Sequence, residues 1–133
     1  MTREDARQRA GTAREHLQVA EERYEYAKDS AAPSSSAQVS ASNSILAGIA
    51  AAADAITGVA LGVRANDQNH AMAAALIATV LPDGKALAVR LSRLLRDKSL
   101  LQYGSYCTTA KSLEMLKLAR ALVESIDQTH KLS

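Results

Sequence analysis

The sequence lacks tryptophan and phenylalanine, and its aromatic residues, histidine aside, are four tyrosines. Strands favour aromatic and β-branched side chains, whereas the alanine and leucine that dominate the apolar residues here favour helix. Small side chains also let helices approach closely. A chain of 133 residues suits one core. The sequence therefore predicts a single all-α domain built as a helical bundle.

The chain also has few cysteines and a small net charge. The one cysteine, Cys107, excludes an internal disulfide and is typical of a reducing compartment, so we expect a cytoplasmic protein. No apolar run follows the charged residues 1–9, so no signal peptide is expected. The formal net charge of +2 is too small to indicate nucleic-acid binding by itself.

Motifs for metals and cofactors are missing. His16, His70 and His130 are scattered along the chain, without ligand spacing to Cys107 or to acidic residues. The sequence has neither a phosphate-binding Walker loop nor a dinucleotide fingerprint. We therefore expect no metal and no cofactor.

Residues 45–63 form an apolar stretch as long as a membrane span. Its one charge, Asp54, is central, and such a charge costs about 2.5–3.5 kcal/mol on insertion scales. Amphipathic neighbours also need an apolar partner. We interpret the stretch as the core helix of the bundle and expect no membrane contact; a membrane-associated helical protein is the alternative.

Apolar periodicity predicts five helices in an up-and-down bundle. They cover residues 2–28, 38 or 42–63, 68–81, 85–102 and 109–130. Residues 30–37, with Pro33 and four serines, are predicted to be a flexible connection. Asn66 or Asp67 is the expected N-cap of the third helix, and Asp83 that of the fourth.

The segment from Arg64 to His70 contains the clearest candidates for catalytic residues. If Asp67 is the N-cap, His70 occupies the third helical position, where the helix dipole favours a neutral imidazole suited to a general base. Arg64 offers a planar fork that matches a phosphate. These are the parts of a metal-free phosphodiester-cleaving site. The alternative is a solvated loop with an incidental Arg and His.

Asp54 is a lone acid in an apolar helix, and a buried carboxylate needs a partner. It precedes Arg64 by ten residues, so Arg64 can reach it only if the chain folds back. Two interpretations stay open. Asp54 forms a structural ion pair with another helix, or it faces the site and orients a catalytic residue.

The fourth predicted helix is basic. Its cations form either an RNA-facing strip or an ordinary solvated face. Tyr103 and Tyr106 follow and can stack on bases if they are exposed. The candidate RNA-binding residues are Arg90, Arg93, Arg96, Lys98 and Tyr103, with Lys85 at the start of the strip.

Several segments resemble the HEPN superfamily, the helical domains of prokaryotic toxin and defence systems. The resemblance covers about residues 10–128 and is closest to small stand-alone HEPN-like proteins of actinobacteria. It rests on AREHLQVAEERYEYA, LAGIAAAADAITGVALGVRANDQNHAMAAAL, LLRDKSLLQYG and a closing A-x-x-LV. The superfamily's motif for RNA cleavage is Arg, four to six residues, then His, which corresponds here to Arg64 and His70.

The resemblance implies a homodimer in which two copies of this motif face each other, with RNA as substrate. It also implies a protein partner, an antitoxin or a nucleotidyltransferase. Some toxin members carry a tyrosine that the nucleotidyltransferase modifies two residues after the His; here that position is Met72, so this regulation is not expected. Our hypothesis is a dimeric, metal-independent ribonuclease with Arg64, His70 and Asp54 in its site. The alternative is a non-catalytic dimeric interaction or nucleotide-binding module.

Overall fold

The computed structural model describes residues 1–65, 69–98, 101 and 106–132, and of His70 it describes the backbone alone. This part of the chain contains five helices of five residues or more and no β-strand. The prediction of an all-α helical bundle is therefore confirmed. The helices are α1 (Arg3–Ala27), α2 (Ser35–Leu61), α3 (His70–Ile77), α4 (Gly84–Arg96) and α5 (Thr109–Gln128).

Helix α1 begins where its sequence predicts. Thr2 is the N-cap: its hydroxyl accepts from the Asp5 backbone N–H at 3.1 Å, and the Asp5 carboxylate accepts from the Thr2 N–H at 2.9 Å. The buried stripe of α1 consists of alanines at positions 6, 10, 13, 20 and 27. Because these side chains are small, α1 lies close against α2 over most of its length.

Helix α2 starts earlier than predicted, at Ser35. Ser34 is its N-cap and accepts from the Ala37 N–H at 3.0 Å. The serines that suggested a flexible connection up to residue 37 instead begin the helix, because a serine hydroxyl satisfies a free N–H at a helix start. The part of α2 from Ile49 to Ile56 is π-helical, and Gly62 ends the helix with a φ of 74°.

Helix α2 is long and apolar enough to cross a membrane by length and composition. In the structure, 72% of its most apolar window is buried within the bundle. Helices α1, α4 and α5 all pack against it. A core helix of a helical bundle has this apolar character for the same reason, so the packing agrees with the interpretation of residues 45–63 as the centre of the fold.

Helix α3 begins at His70, two residues later than predicted. Its N-cap is Asn69, whose side-chain oxygen accepts from the Met72 N–H at 2.9 Å. Asn66 and Asp67, the expected caps, lie outside the described residues. His70 is consequently the first helical residue rather than the third, because asparagine at position 69 caps as well as the residues before it. The helix ends at Ile77, not at residue 81.

Helices α4 and α5 close the bundle. Leu87, Leu91, Leu94 and Leu95 of α4 are buried, and so is an apolar stripe of α5 that consists of Met115, Leu116, Ala119, Leu122, Val123 and Ile126. Asp83 stands at the N-cap position of α4, but its side chain makes no capping hydrogen bond and pairs with residues of the α5 end instead. Helix α4 ends at Arg96 rather than at residue 102, and α5 ends at Gln128 rather than at residue 130.

Candidate functional site

Asp54 is the only acidic residue within α2, and its side chain is 0% exposed. Two arginines hold it. Arg9 of α1 donates from Nε at 2.9 Å and from Nη2 at 2.8 Å to Asp54 Oδ2. Arg64 donates from Nε to Asp54 Oδ1 at 3.2 Å. Each carboxylate oxygen therefore has a cationic partner, which a buried charge requires.

The chain folds back after α2, and this return brings Arg64 to Asp54. Gly62 takes a left-handed conformation that favours glycine, so the helix ends in a sharp turn. Three residues later the Ala65 N–H donates to Thr57 Oγ1 at 3.3 Å, and Ala65 is buried. The sequence predicted that Arg64 could reach Asp54 only by such a reversal, and the structure contains one.

The start of α1 packs on the end of α2. A Cβ at Gly58 would meet the Met1 sulfur and, at 3.3 Å, the Cβ of Ala6, so glycine there allows the close approach. The Met1 nitrogen donates to the Gly62 carbonyl at 3.1 Å. This packing brings Arg9 of α1 to Asp54 Oδ2, beside Arg64 of the returning loop at Oδ1.

An open cleft of about 590 Å³ lies beside the Asp54 cluster. The side chains of Arg9 and Arg64 are in its wall and are 34% and 40% exposed. Asp5, also in the wall, is engaged in the N-terminal cap, and its hydrogen bonds with Thr2 lower the pKa of its carboxyl. The cleft is lined by Met1, Asp5, Gln8, Arg9, Gly62, Val63 and Arg64.

His70, the proposed base, is placed by its backbone at the first turn of α3. Its side chain lies outside the described residues, as does Tyr103, one of the candidate RNA-binding residues. Met72 is exposed two residues after His70. The structure therefore joins Asp54 and Arg64 directly and places the backbone of His70 at the start of α3.

The basic strip of α4 is solvent-facing for most of its length. Lys85, Arg93 and Arg96 are exposed, and Arg90 is half-buried. Helix α4 contains no acidic residue, and none of these four cations forms an ion pair within the described part of the chain.

The residues that follow the basic strip are paired or less exposed. Asp97, which follows α4, pairs with Lys111 at 2.7 Å, and Lys98 is half-buried. At its other side the strip reaches α3, because Arg96 and Ala71 line one small cavity of about 180 Å³. The surplus positive charge of α4 therefore ends beside the first turn of α3, where His70 begins the helix.

A second polar cluster ties α4 to the end of α5. His130 Nε2 lies 2.8 Å from Asp83 Oδ1, and the Ser125 hydroxyl donates to Asp83 Oδ2. Burial opposes the charge on Asp83, but the hydrogen bonds from Ser125 and His130 outweigh it and hold the pKa of this carboxyl below its usual value. The cluster is a tertiary contact that replaces the predicted N-cap.

Sequence reasoning missed Arg9. It is one of several charged residues near the start of the chain, and nothing in its spacing distinguishes it from Arg7 or Arg14. The available signal is indirect: a buried acid in an apolar helix needs cations, and Arg9 directly precedes the buried Ala10 on the helix that packs there. The cluster of Ser125, His130 and Asp83 had no comparable signal.

The described residues contain no group of three or more His, Cys, Asp or Glu side chains arranged to hold a metal ion. Comparison of the chain with protein-family models, with curated proteins and with solved structures finds no match. The resemblance to the HEPN superfamily accordingly stays a prediction from the quoted segments.

Proposed function

We propose that this chain is a metal-independent endoribonuclease of the HEPN type that acts as a homodimer. The observation that carries the proposal is Arg64, which the buried Asp54 holds in the wall of an open cleft. Arg64 is also the first residue of the Arg–His motif. A guanidinium whose position is fixed by a buried carboxylate is suited to hold a scissile phosphate.

In the proposed reaction His70 removes the proton from a ribose 2′-hydroxyl. The 2′-oxygen attacks the adjacent phosphorus, and the bond from phosphorus to the 5′-oxygen of the next nucleotide breaks. His70, now protonated, gives its proton to that leaving oxygen. Arg64 stabilises the negative charge that develops on the phosphate, and Asp54 orients Arg64. The products are a 2′,3′-cyclic phosphate and a free 5′-hydroxyl.

The basic strip of α4 is the proposed path of the RNA backbone. Its cations lack acidic partners within the described residues, and the strip ends beside the first turn of α3. Phosphates bound along it would neutralise these charges, so RNA binding should weaken steeply with salt. The candidate contacts are Arg90, Arg93, Arg96, Lys98 and Tyr103.

The test is cleavage of a single-stranded RNA by the purified protein in the presence of a metal chelator. We expect 2′,3′-cyclic phosphate ends and no cleavage of the matching DNA, which lacks the 2′-hydroxyl. Loss of a general base should lower the rate by about 10²–10⁴-fold in His70→Ala. His16→Ala is the matched control, since His16 contacts Asn43 on α2 at 3.4 Å and has no role in the proposal.

Two results would refute the enzyme. The first is a folded protein that leaves RNA intact over a range of sequences and salt concentrations. The second is cleavage that remains unchanged in both His70→Ala and His16→Ala, since this would indicate a contaminating nuclease. RNA binding by the α4 strip is tested separately by replacing Arg93 and Arg96 with glutamine, which should raise the Kd and reduce its salt dependence.

One observation favours a second candidate, a non-catalytic interaction or nucleotide-binding module. Both oxygens of Asp54 are bound to arginines, so the cluster can serve as a structural brace between α1, α2 and the returning loop. In that case Arg64→Lys should lower stability and leave every RNA-dependent property unchanged. If the protein is a ribonuclease, Arg64→Lys should instead cause a large loss of cleavage and only a small loss of stability.

A further inference from the structure

A small cavity lies between α3 and α4, at the first turn of α3. Its volume is about 180 Å³, and it is lined by Ala71, Ser92, Leu95 and Arg96. Small-molecule pockets measure roughly 300–1,000 Å³, so this cavity has room for one chemical group of a larger ligand rather than for a whole ligand. Leu95 is buried and forms the inner wall, whereas Ser92 and Arg96 are exposed. The hydroxyl and the guanidinium therefore stand at the solvent side of the cavity.

Arg96 is the one charged side chain among these four lining residues, and it forms no ion pair within the described part of the chain. Asp97, the next residue, is paired with Lys111 at 2.7 Å, and neither α3 nor α4 contains an acidic residue. Ser92 precedes Arg96 by four residues, so the two lie on the same side of α4. The lining therefore combines the N–H donors of a guanidinium with a hydroxyl donor.

We propose that this cavity binds one phosphate of a single-stranded RNA, held by Arg96 and by the hydroxyl of Ser92. A guanidinium fork matches two phosphate oxygens, and serine hydroxyls are common donors to phosphate. The inference rests on the proposed function and deepens it, because it gives the path of the RNA along α4 a defined end. His70 directly precedes Ala71 in the first turn of α3, so a strand seated here passes the residue proposed as the base.

The other exposed cations of α4 indicate a ligand with a repeated negative charge. Lys85 and Arg93 are exposed on the same helix, lie outside the lining of the cavity, and are not ion-paired with any residue that the structure describes. The backbone of a nucleic acid carries one negative charge per nucleotide and can contact such cations one after another. RNA is therefore the occupant that fits both the cavity and the helix beside it, and an acidic peptide is the competing polyanion.

The first experiment compares Arg96→Gln with Arg93→Gln in the full chain. Each variant loses one exposed cation from the same helix, so both should reduce the salt dependence of RNA binding by a similar amount. Only Arg96→Gln should also lower the rate of cleavage at saturating RNA, because the seated phosphate aligns the strand with the base. The expected loss is about tenfold or more, the factor for one charge-assisted contact. Cleavage at equal rates by the two variants would overturn the inference and leave the ribonuclease in place.

The second experiment fills the cavity without changing any charge. Ala71 and Ala75 are exposed alanines one turn apart on α3, and of the two only Ala71 lines the cavity. Leucine favours helix almost as much as alanine does, so both leucine variants should fold. Ala71→Leu should weaken RNA binding several-fold, whereas Ala75→Leu should leave it unchanged. Equal affinities of these two variants for RNA would contradict a phosphate in the cavity.

NMR locates the bound phosphate independently of activity. The ligand is a short 2′-O-methyl RNA, which lacks the attacking hydroxyl and stays intact. The Ala71 amide signal should shift during the titration, and Arg96→Gln should abolish the shift while Arg93→Gln retains it. If the shift follows this pattern but ordinary RNA is never cut, the phosphate site stands and the ribonuclease fails. A wild type that binds no RNA, or polyglutamate that shifts the Ala71 signal as strongly as RNA does, would overturn the inference.

Discussion

Asp54 and Asp83 are both held by side chains from other parts of the chain, but their clusters differ in their partners and in their surroundings. Asp54 is fully buried and is shared by two arginines that reach an open cleft. Asp83 is paired with His130, whose side chain is 6% exposed, and with the neutral hydroxyl of Ser125. The cationic partners in the first cluster are two permanently charged arginines in the wall of a cleft, whereas the partners in the second are an imidazole and a neutral hydroxyl.

The comparison separates two uses of a carboxylate that is held between parts of the fold. Both clusters tie helices together, since Asp54 joins α1 to α2 and Asp83 joins α4 to the end of α5. A purely structural tie needs only enough partners to balance the carboxylate. The two arginines at Asp54 also lie in the wall of an open cleft, where a ligand can reach them. In the proposed function the Asp54 cluster is therefore part of the site, whereas the Asp83 cluster ties α4 to the end of α5.

The largest effect is expected when Asp54 loses both cations. The double variant Arg9→Met, Arg64→Met leaves a fully buried carboxylate without an ionic partner and should lower the free energy of unfolding by about 3–5 kcal/mol. Chemical denaturation at pH 7 measures the change. The triple variant with Asp54→Leu should recover much of it, because it removes the unpaired charge. Failure to recover would mean that the cluster contributes packing rather than charge balance.

This prediction depends on the contacts of Asp54 with Arg9 and Arg64, which could be predicted from the sequence only in part. A lone acid in an apolar helix has to be paired, and the ten-residue separation means that Arg64 can reach it only if the chain reverses after α2. The choice of Arg9 as the second cation depends on how α1 packs across α2. The spacing of apolar residues does not determine which residues of the two helices lie opposite each other. The helices themselves followed from their alanine and leucine stripes, since those patterns are local.

Helix ends were harder to predict, because several residues near each end can cap it. Ser34 was read as part of a flexible connection, although it caps α2. Asn69 is the N-cap of α3, where residue 66 or 67 was expected. Asp83 stands at the right position but faces a tertiary partner. In each case a competing hydrogen bond decided the outcome, and the spacing of apolar residues carries no information about it.

The next effect concerns Asp83. Hydrogen bonds to a charged group contribute about 1.5–3 kcal/mol, so Asp83→Asn should cost an amount in the lower part of that range, since the carboxyl is partly exposed. The folded-state pKa of Asp83 lies below its ordinary value of 3.8, so its charge stabilises the fold above that value. This stability is lost as the pH falls through the lowered pKa.

Denaturation curves at pH 7 and pH 3 test the prediction. Wild type should lose more stability between these values than Asp83→Asn does. Equal losses would mean that Asp83 is not the group responsible, and the contrast with the permanent charges at Asp54 would lose its basis.

The turn that carries Arg64 back to Asp54 should show a smaller effect. Gly62 has a φ of 74°, so Gly62→Ala should cost about 1–2 kcal/mol, although no atom crowds its Cβ position. Gly11 lies within α1 with open space around it, and Gly11→Ala should stabilise the protein by about 0.5–1 kcal/mol. Opposite signs in thermal unfolding would confirm that the left-handed turn, rather than side-chain volume, sets the cost at Gly62.

The smallest effect is expected from a single hydroxyl of the Asp83 cluster. Ser125→Ala removes one of the two hydrogen bonds to the carboxylate and should lower stability by about 1 kcal/mol. Ser44 is the matched control: its buried hydroxyl has no hydrogen-bond partner among the described residues, so Ser44→Ala should be neutral or stabilising. If both variants lose the same stability, the hydroxyl of Ser125 fills space and nothing more. A loss confined to Ser125→Ala would show that Asp83 depends on its neutral partner as well as on His130, which is the feature that sets it apart from Asp54.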